Sequence, residues 1–260
     1  MIAESLAGKR VAITGSTGFV GTALVERMLR SVPDCELVLL VRDGKRTPAA
    51  KRTQQEILKN NAFDRLRETF GAPESSETFA EMTARRITTI AGDVSRDGLD
   101  LNDADRATFA SCDTIIHSAA AVSFDSPLNS AVEINLLGPV RIAELCNEIG
   151  ITPHIVAVST CYVAGNRRGR APEELVSEGP WDIGLDWRSE VASARRLKGD
   201  TEATSRTREN LERFRKDART ELGAAGAPAL AAKTEQLRER WVRAELVDAG
   251  RSRAASLGWP

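Results

Sequence analysis

The residues with the plainest chemical potential lie near the start of the chain, in Val11-Ala-Ile-Thr-Gly-Ser-Thr-Gly-Phe-Val-Gly21. Gly15, Gly18 and Gly21 follow a short apolar stretch and open a segment in which Val20, Leu24 and Met28 recur at helical spacing. A strand running through a glycine turn into a helix is what a dinucleotide pyrophosphate requires. Gly15 permits the tight turn, Gly18 lets backbone approach the phosphates, and Gly21 lets the helix pack on the strand. The free N–H groups and positive end of the helix then face the anion. Glycine turns after strands are also common as plain turns, and it is the position between this strand and this helix that favours a nucleotide loop.

Further candidates follow at regular intervals. The apolar run 36–41 reads as a second parallel strand and is closed by Arg42, with Lys45 and Arg46 behind it. A carboxylate at that place suits a ribose 2′-hydroxyl and an arginine suits a 2′-phosphate, so the sequence predicts NADPH over NADH, with Asp43 as a counter-indication. A third strand, 87–91, ends in Gly92-Asp93-Val94, where the carboxylate can accept from an adenine amino group beside the valine; an Asp at a strand end can equally be a helix cap. A fourth strand ends in His117-Ser-Ala119-Ala120, whose small residues leave room for ribose and nicotinamide. His117 could act as a base, but at the end of a buried strand it reads better as a packed, hydrogen-bonded residue. Asn135 sits in an apolar helix, 127–137, where a buried amide needs a partner. The fifth strand, 153–158, opens into Ser159 and Thr160, placing hydroxyls at a strand's carboxyl end, where ligands bind in such sheets.

These positions need elements to hold them. Strands alternating with helical patterns over the first 170 residues predict an α/β fold: a Rossmann-like parallel sheet with flanking helices. Residues 51–69 and 77–86 read as helices in the crossover between the second and third strands, and 139–149 as the helix before the fifth strand. The chain has 260 residues, 42% of them hydrophobic, which suffices for a sizeable core. A formal net charge of −1 suggests no nucleic-acid partner. Four scattered cysteines and two histidines offer neither a disulfide framework nor a metal site and suit a reducing compartment. With no apolar run of membrane-spanning length and no signal-peptide core, the expectation is a cytoplasmic protein.

The GxxGxxG spacing after Thr14 resembles the extended branch of the short-chain dehydrogenase/reductase superfamily. Four stretches together resemble one family within it, the NADPH-dependent fatty acyl-CoA reductases with their male-sterility-type NAD-binding domain. They are TGSTGFVGTALVERMLRSVPD, LLVRDGKR followed by ILKNNAFDRLRE, HSAAAVSFDSPLNSAVEINLLGP, and VSTCYVAG. The resemblance implies reduction of an acyl-CoA or acyl-carrier-protein thioester by NADPH, to an aldehyde or onward to an alcohol. It implies a pyrophosphate at Gly15, Ser16, Thr17, Gly18, Phe19 and Gly21, a 2′-phosphate at Arg42, the adenine at Asp93 and Val94, and the nicotinamide near Ala119 and Ala120. It also implies that Asn135 positions a proton-relay water and that Thr160, with Ser159 as the alternative, hydrogen-bonds the substrate carbonyl. The superfamily's Tyr-x-x-x-Lys proton donor has no match, because the single tyrosine, Tyr162, is followed four places on by Asn166.

From residue 171 the composition turns to Glu, Arg and Ala, and a charged helical insertion over 171–260 is expected, with helices 187–222 and 230–257 joined by a turn at 223–228. It reads either as a solvated hairpin, which its mixed charge favours, or as a docking arm for the acyl carrier. The chain then stops where the family's active-site helix would begin, so the sequence reads as an N-terminal fragment of a longer reductase, itself inactive. A non-catalytic dinucleotide-binding or regulatory protein and a sugar-nucleotide epimerase are the alternatives.

Overall fold

The computed structural model describes residues 2–258 except 33, 124, 164, 166, 167, 180, 181, 224 and 225. Pro33, Phe124 and Ala164 of the stretches quoted above, Asn166, and Ala224 and Ala225 of the expected turn therefore lie outside the described residues. Strands β1 (Arg10–Thr14), β2 (Glu36–Val41), β3 (Ile87–Ala91), β4 (Thr114–His117) and β5 (His154–Ala157) form one parallel sheet in the order β3-β2-β1-β4-β5. This is the expected α/β architecture.

Strand residues alternate between two cores. Val11, Ile13, Leu37 and Leu39 face one side with Val25, Met28, Leu29, Ile57, Phe63 and Met82. Ala12, Val38, Leu40, Ile90 and Ile115 face the other with Phe109, Ile142 and Leu145. Helices therefore cover both faces, which is why these strands read as unbroken apolar runs. At β5 the cover ends: all four of its residues are exposed, including Ile155 and Val156 at 40% and 39%.

The chain divides into two compact units, residues 1–120 with 133–159, and residues 121–132 with 160–260. The second is helical: Leu128–Ala131, Trp187–Ser205, Arg208–Leu222 and Ala227–Ser256. Phe214, Ala218 and Leu237 form its small core, bordered by Leu230 and Trp241. Arg238 is buried there, donating to Glu202 at 2.7 Å, Ser205 at 2.8 Å and Glu235 at 2.6 and 2.9 Å.

Two expected helices are interrupted and two others, 127–137 and 139–149, are joined, each for a local reason. The run expected at 187–222 breaks at Arg206-Thr207, where Thr207 is extended and both its hydroxyl and Asn210 donate to the Thr204 carbonyl. The run at 51–69 is a π-helix over Thr53–Leu58, a turn, and then Asp64–Gly71. Asn60, extended, accepts from the Ala62 N–H and ends the first part. Residues 128–148 are continuous, but Val132–Leu136 is π-helical. Pro139 has no N–H to offer the carbonyl four residues before it, and the wider turn lies where that bond would have formed.

Arg86 closes the helix Phe19–Ser31 from outside. Its buried guanidinium donates to the carbonyls of Leu29 at 2.6 Å, Val32 at 2.6 Å and Cys35 at 3.0 Å. The cation thus satisfies acceptors at the negative end of the helix and its following loop. Replacing Arg86 with Leu leaves those acceptors unpaired in the interior, and unfolding stability is expected to fall by about 2–4 kcal/mol. Urea unfolding of the variant beside the unmodified chain checks this.

Candidate functional site

The loop after β1 is built by close backbone contact. Gly15 has φ +76°, and a Cβ there would lie 2.5 Å from the Ala119 nitrogen and 2.6 Å from the Ser118 carbonyl carbon. A Cβ on Gly21 would come within 2.2 Å of the Gly15 oxygen, and one on Gly18 within 3.2 Å. Only hydrogen at the Gly15 and Gly21 α-carbons lets the turn close; Gly18 N–H donates to Gly15 O at 2.9 Å and the Thr22 hydroxyl to Ser16 O at 3.0 Å. The helix Phe19–Ser31 begins at Gly18 with no side-chain cap on its amides. Ser16 Oγ is buried with no hydrogen-bond partner among the described residues, whereas Thr17, Gly18 and Phe19 are exposed, Phe19 at 93%. An uncapped helix start beside an orphaned hydroxyl fits a phosphate group.

The carboxyl ends of the other strands carry the remaining candidates. Arg42 closes β2 with an exposed side chain, and its Nη1 lies 3.9 Å from Asp93 Oδ2 beyond β3. Asp93 Oδ1 accepts from the Ser95 N–H at 2.8 Å, so one carboxylate oxygen caps a turn while the other faces Arg42. Val94 is buried in the core beside Gly138. Asp43 turns away from this edge and accepts from the Ala49 N–H at 2.7 Å, capping the next helix. Sequence reading missed Arg52, which donates to the Arg42 carbonyl at 2.6 Å and holds Glu56 through two bonds of 2.7 and 2.8 Å. The i,i+4 pair is visible in the sequence; its reach back to residue 42 is not.

At the end of β4, Ala119 lies against Gly15 and Ala120 is exposed. Thr14 Oγ1 and His117 Nδ1 are 2.7 Å apart, and both residues are buried. Burial pushes His117 below the ordinary histidine range, which favours a neutral ring. This is the packed, hydrogen-bonded histidine of the sequence reading.

Asn135 departs from expectation: it is exposed, and none of residues 132–136 is buried. Ile134 packs against the core from within the π-turn, and the first fully buried residues of this helix are Leu137 and Gly138. Arg141, buried eight residues after Glu133, ties the π-turn down by donating to the Glu133 carbonyl at 2.9 Å, with its carboxylate at 2.5 Å and Asp97 at 2.9 Å. Ser159 is exposed just past β5 in the first unit; Thr160, also exposed, belongs to the second and accepts from the Tyr162 N–H at 3.3 Å. The structure thus gathers the cofactor candidates at one end of the sheet, with Ser159 at the matching end of β5. Cys35 and Cys112 are buried thiols that burial pushes up to about 11 and about 12, outside any nucleophilic range at neutral pH.

Residues 13–220 match the family model described as male sterility protein, an NAD-binding domain. The chain belongs to this family. It is 33% identical over 184 residues to the chloroplastic fatty acyl-CoA reductase 2 of Arabidopsis thaliana, covering 68% of this chain and 28% of that protein. Over 266 residues it is 29% identical to the alcohol-forming fatty acyl-CoA reductase of Simmondsia chinensis, covering 100% of this chain and 46% of that one. Among solved structures, the terminal R domain of the myxalamid PKS-NRPS pathway overlaps 75% of this chain and 46% of its own, with 24% identity and a TM-score of 0.49. The chain spans less than half the length of these curated relatives. The male sterility protein family accounts for the glycine loop and for the segments flanking Asn135 in one assignment.

Because the Gly15 oxygen is backbone and cannot swing aside, Gly21→Ala is expected to abolish dinucleotide binding and cost about 1–3 kcal/mol of stability. Gly71→Ala, with open space around it, is expected to change neither. Cofactor titration and thermal unfolding of the two variants make the comparison.

Proposed function

We propose that this chain is the cofactor-binding part of an NADPH-dependent reductase acting on fatty acyl thioesters. The observation that carries the cofactor choice is at the end of β2. Arg42 is exposed at the position that meets the adenosine ribose in such folds, and the only nearby acid in sequence, Asp43, is occupied in capping a helix. That removes the counter-indication and leaves a cation for the 2′-phosphate. The substrate class rests on membership of the male sterility protein family and on relatives named as fatty acyl-CoA reductases.

In this reading Gly15, Ser16, Thr17, Gly18, Phe19 and Gly21 hold the pyrophosphate, Arg42 the 2′-phosphate, and Asp93 with Val94 the adenine side. Ala119 and Ala120 leave the nicotinamide its space. Bound NADPH would supply a hydride to the thioester carbonyl. The chain's part is to exclude bulk at Gly15 and Ala119, to orient the carbonyl through Thr160 or Ser159, and to hold a water at Asn135. A group that donates a proton to the developing oxyanion is the remaining requirement. The 260 residues contain no Tyr-x-x-x-Lys to meet it.

The reading expects NADPH to bind more tightly than NADH. Arg42→Ala should weaken NADPH by about tenfold to a hundredfold, the worth of a charge-assisted contact, and leave NADH unchanged. Fluorescence titration of both cofactors tests it, and a preference for NADH would overturn the assignment. The isolated chain is further expected to oxidise no NADPH when long-chain acyl-CoA is added; turnover followed at the nicotinamide absorbance would show that the proton donor is already present.

A further inference from the structure

We propose that His117 is a positioning residue for the dinucleotide: as a neutral ring protonated on Nε2, it accepts the Thr14 hydroxyl proton and so locks the crossing of the glycine loop over the end of β4. The inference rests on the nucleotide reading above and extends it to a residue that touches neither phosphate nor nicotinamide.

The argument is an accounting of Thr14. The residue is fully buried at the end of β1, in register with His117 at the end of β4. Its carbonyl accepts from both the Ser118 N–H at 3.2 Å and the Ser118 hydroxyl at 2.8 Å. Its Oγ1 accepts the Ala119 N–H at 3.3 Å and lies 2.7 Å from His117 Nδ1. A hydroxyl has one proton to give and two lone pairs to fill. One lone pair takes the Ala119 N–H; if the other took an Nδ1–H, the hydroxyl proton would have no acceptor among the described residues in a fully buried place, so we assign that proton to Nδ1. The ring must then bear its proton on Nε2, the side that faces Gly138 and Val94, where a Cβ on Gly138 would be 3.6 Å away.

The consequence reaches the nucleotide loop through backbone. Ala119 is the residue against which Gly15 packs too closely for any Cβ, so whatever fixes the Ala119 amide fixes the first turn of the loop. Thr14 holds that amide, and His117 holds the rotamer of Thr14. A side chain at 117 without an acceptor at the Nδ1 position would free the hydroxyl to rotate, and the half-buried Ala119 amide would lose a defined partner.

The geometry also specifies which substitutions should matter. Asn places an amide oxygen where Nδ1 stands; Gln carries it one bond too far, and Leu has none. NADPH dissociation constants are therefore expected to be close to that of the unmodified chain for His117→Asn and Thr14→Ser. They should rise about tenfold for His117→Gln, His117→Leu and Thr14→Val, the effect of one hydrogen bond. The Thr14→Val/His117→Leu double variant should lose no more than Thr14→Val alone, because that substitution already removes the bond to His117. The unmodified chain gives an independent reading that needs no variant. With only two histidines present, ¹⁵N-edited NMR can assign the His117 tautomer, expected to be Nε2–H at neutral pH. An Nδ1–H or charged ring, His117→Gln binding as tightly as the unmodified chain, or additive losses in the double variant would each overturn the inference. Failure of the unmodified chain to bind NADPH at all would instead overturn the nucleotide reading.

Discussion

The constraint on which this molecule depends is the distance between backbones where β1 leaves the sheet. Gly15 sits against Ser118 and Ala119, and Gly21 sits against Gly15, all closer than a methyl group would allow. With those contacts made, the helix Phe19–Ser31 follows directly on the loop from β1, and its start is exposed and carries no side-chain cap. The same closeness brings the exits of β1 and β4 together, so that the glycine loop and Ala119-Ala120 form one surface. Parallel pairing of β1 with β2 and β4 then carries Arg42 and Ser118 to the same end of the sheet. A site distributed over residues more than a hundred positions apart follows from a few missing β-carbons.

Arginines serve two different purposes. Arg86, Arg141 and Arg238 are buried, and each directs its planar guanidinium at several fixed acceptors: carbonyls at a helix end, a π-turn with two carboxylates, and a pair of glutamates with a serine. A lysine could not reach such sets from one point charge. Desolvating a cation is costly, and the carbonyls and carboxylates around these three offset that cost. Arg42 is the opposite case, exposed at 60% with one acid 3.9 Å away. Its neighbours do not use up its donors, which is the condition for a side chain that must take up an anion.

The helical unit shows how mixed charge settles. Arg253 pairs with Glu190, Arg251 with Asp125, Lys233 with Glu221, and Arg213 lies over the rings of Phe214 and Trp241 at 4.9 and 5.5 Å. Pairs of this kind on a surface contribute little stability each. What holds the unit is the packing of Phe214, Ala218 and Leu237 and the buried Arg238 network. Leu128 lies within 3.3 Å of a Cβ placed on Gly250, so the family segment after β4 packs onto the long helix Ala227–Ser256.

By itself the sequence determined the parallel sheet, the glycine loop and the identity of Arg42 as the residue closing β2. Each depends on short-range information: unbroken apolar runs for strands covered on both faces, glycine where a turn forbids a side chain, and charge at a strand end. The strand 87–91 was legible because its apolar and β-branched residues follow a charged helix end directly and stop at Gly92-Asp93. Tertiary structure decided what local patterns cannot carry. It interrupted two expected helices, where Asn60 accepts from the Ala62 N–H and Thr207 turns extended, and joined two others through a π-turn before Pro139. It exposed Asn135 by turning its neighbours Ile134 and Leu137 toward the core instead. It turned Asp43 into a helix cap and set Arg52 on the Arg42 carbonyl, and it placed His117 beside Thr14. The contact of His117 with Thr14 joins groups 103 residues apart that meet only when the sheet closes; the bonds at Asp43, Asn60, Arg52 and Thr207 join residues within ten positions, where several local pairings compete and the packed chain selects one.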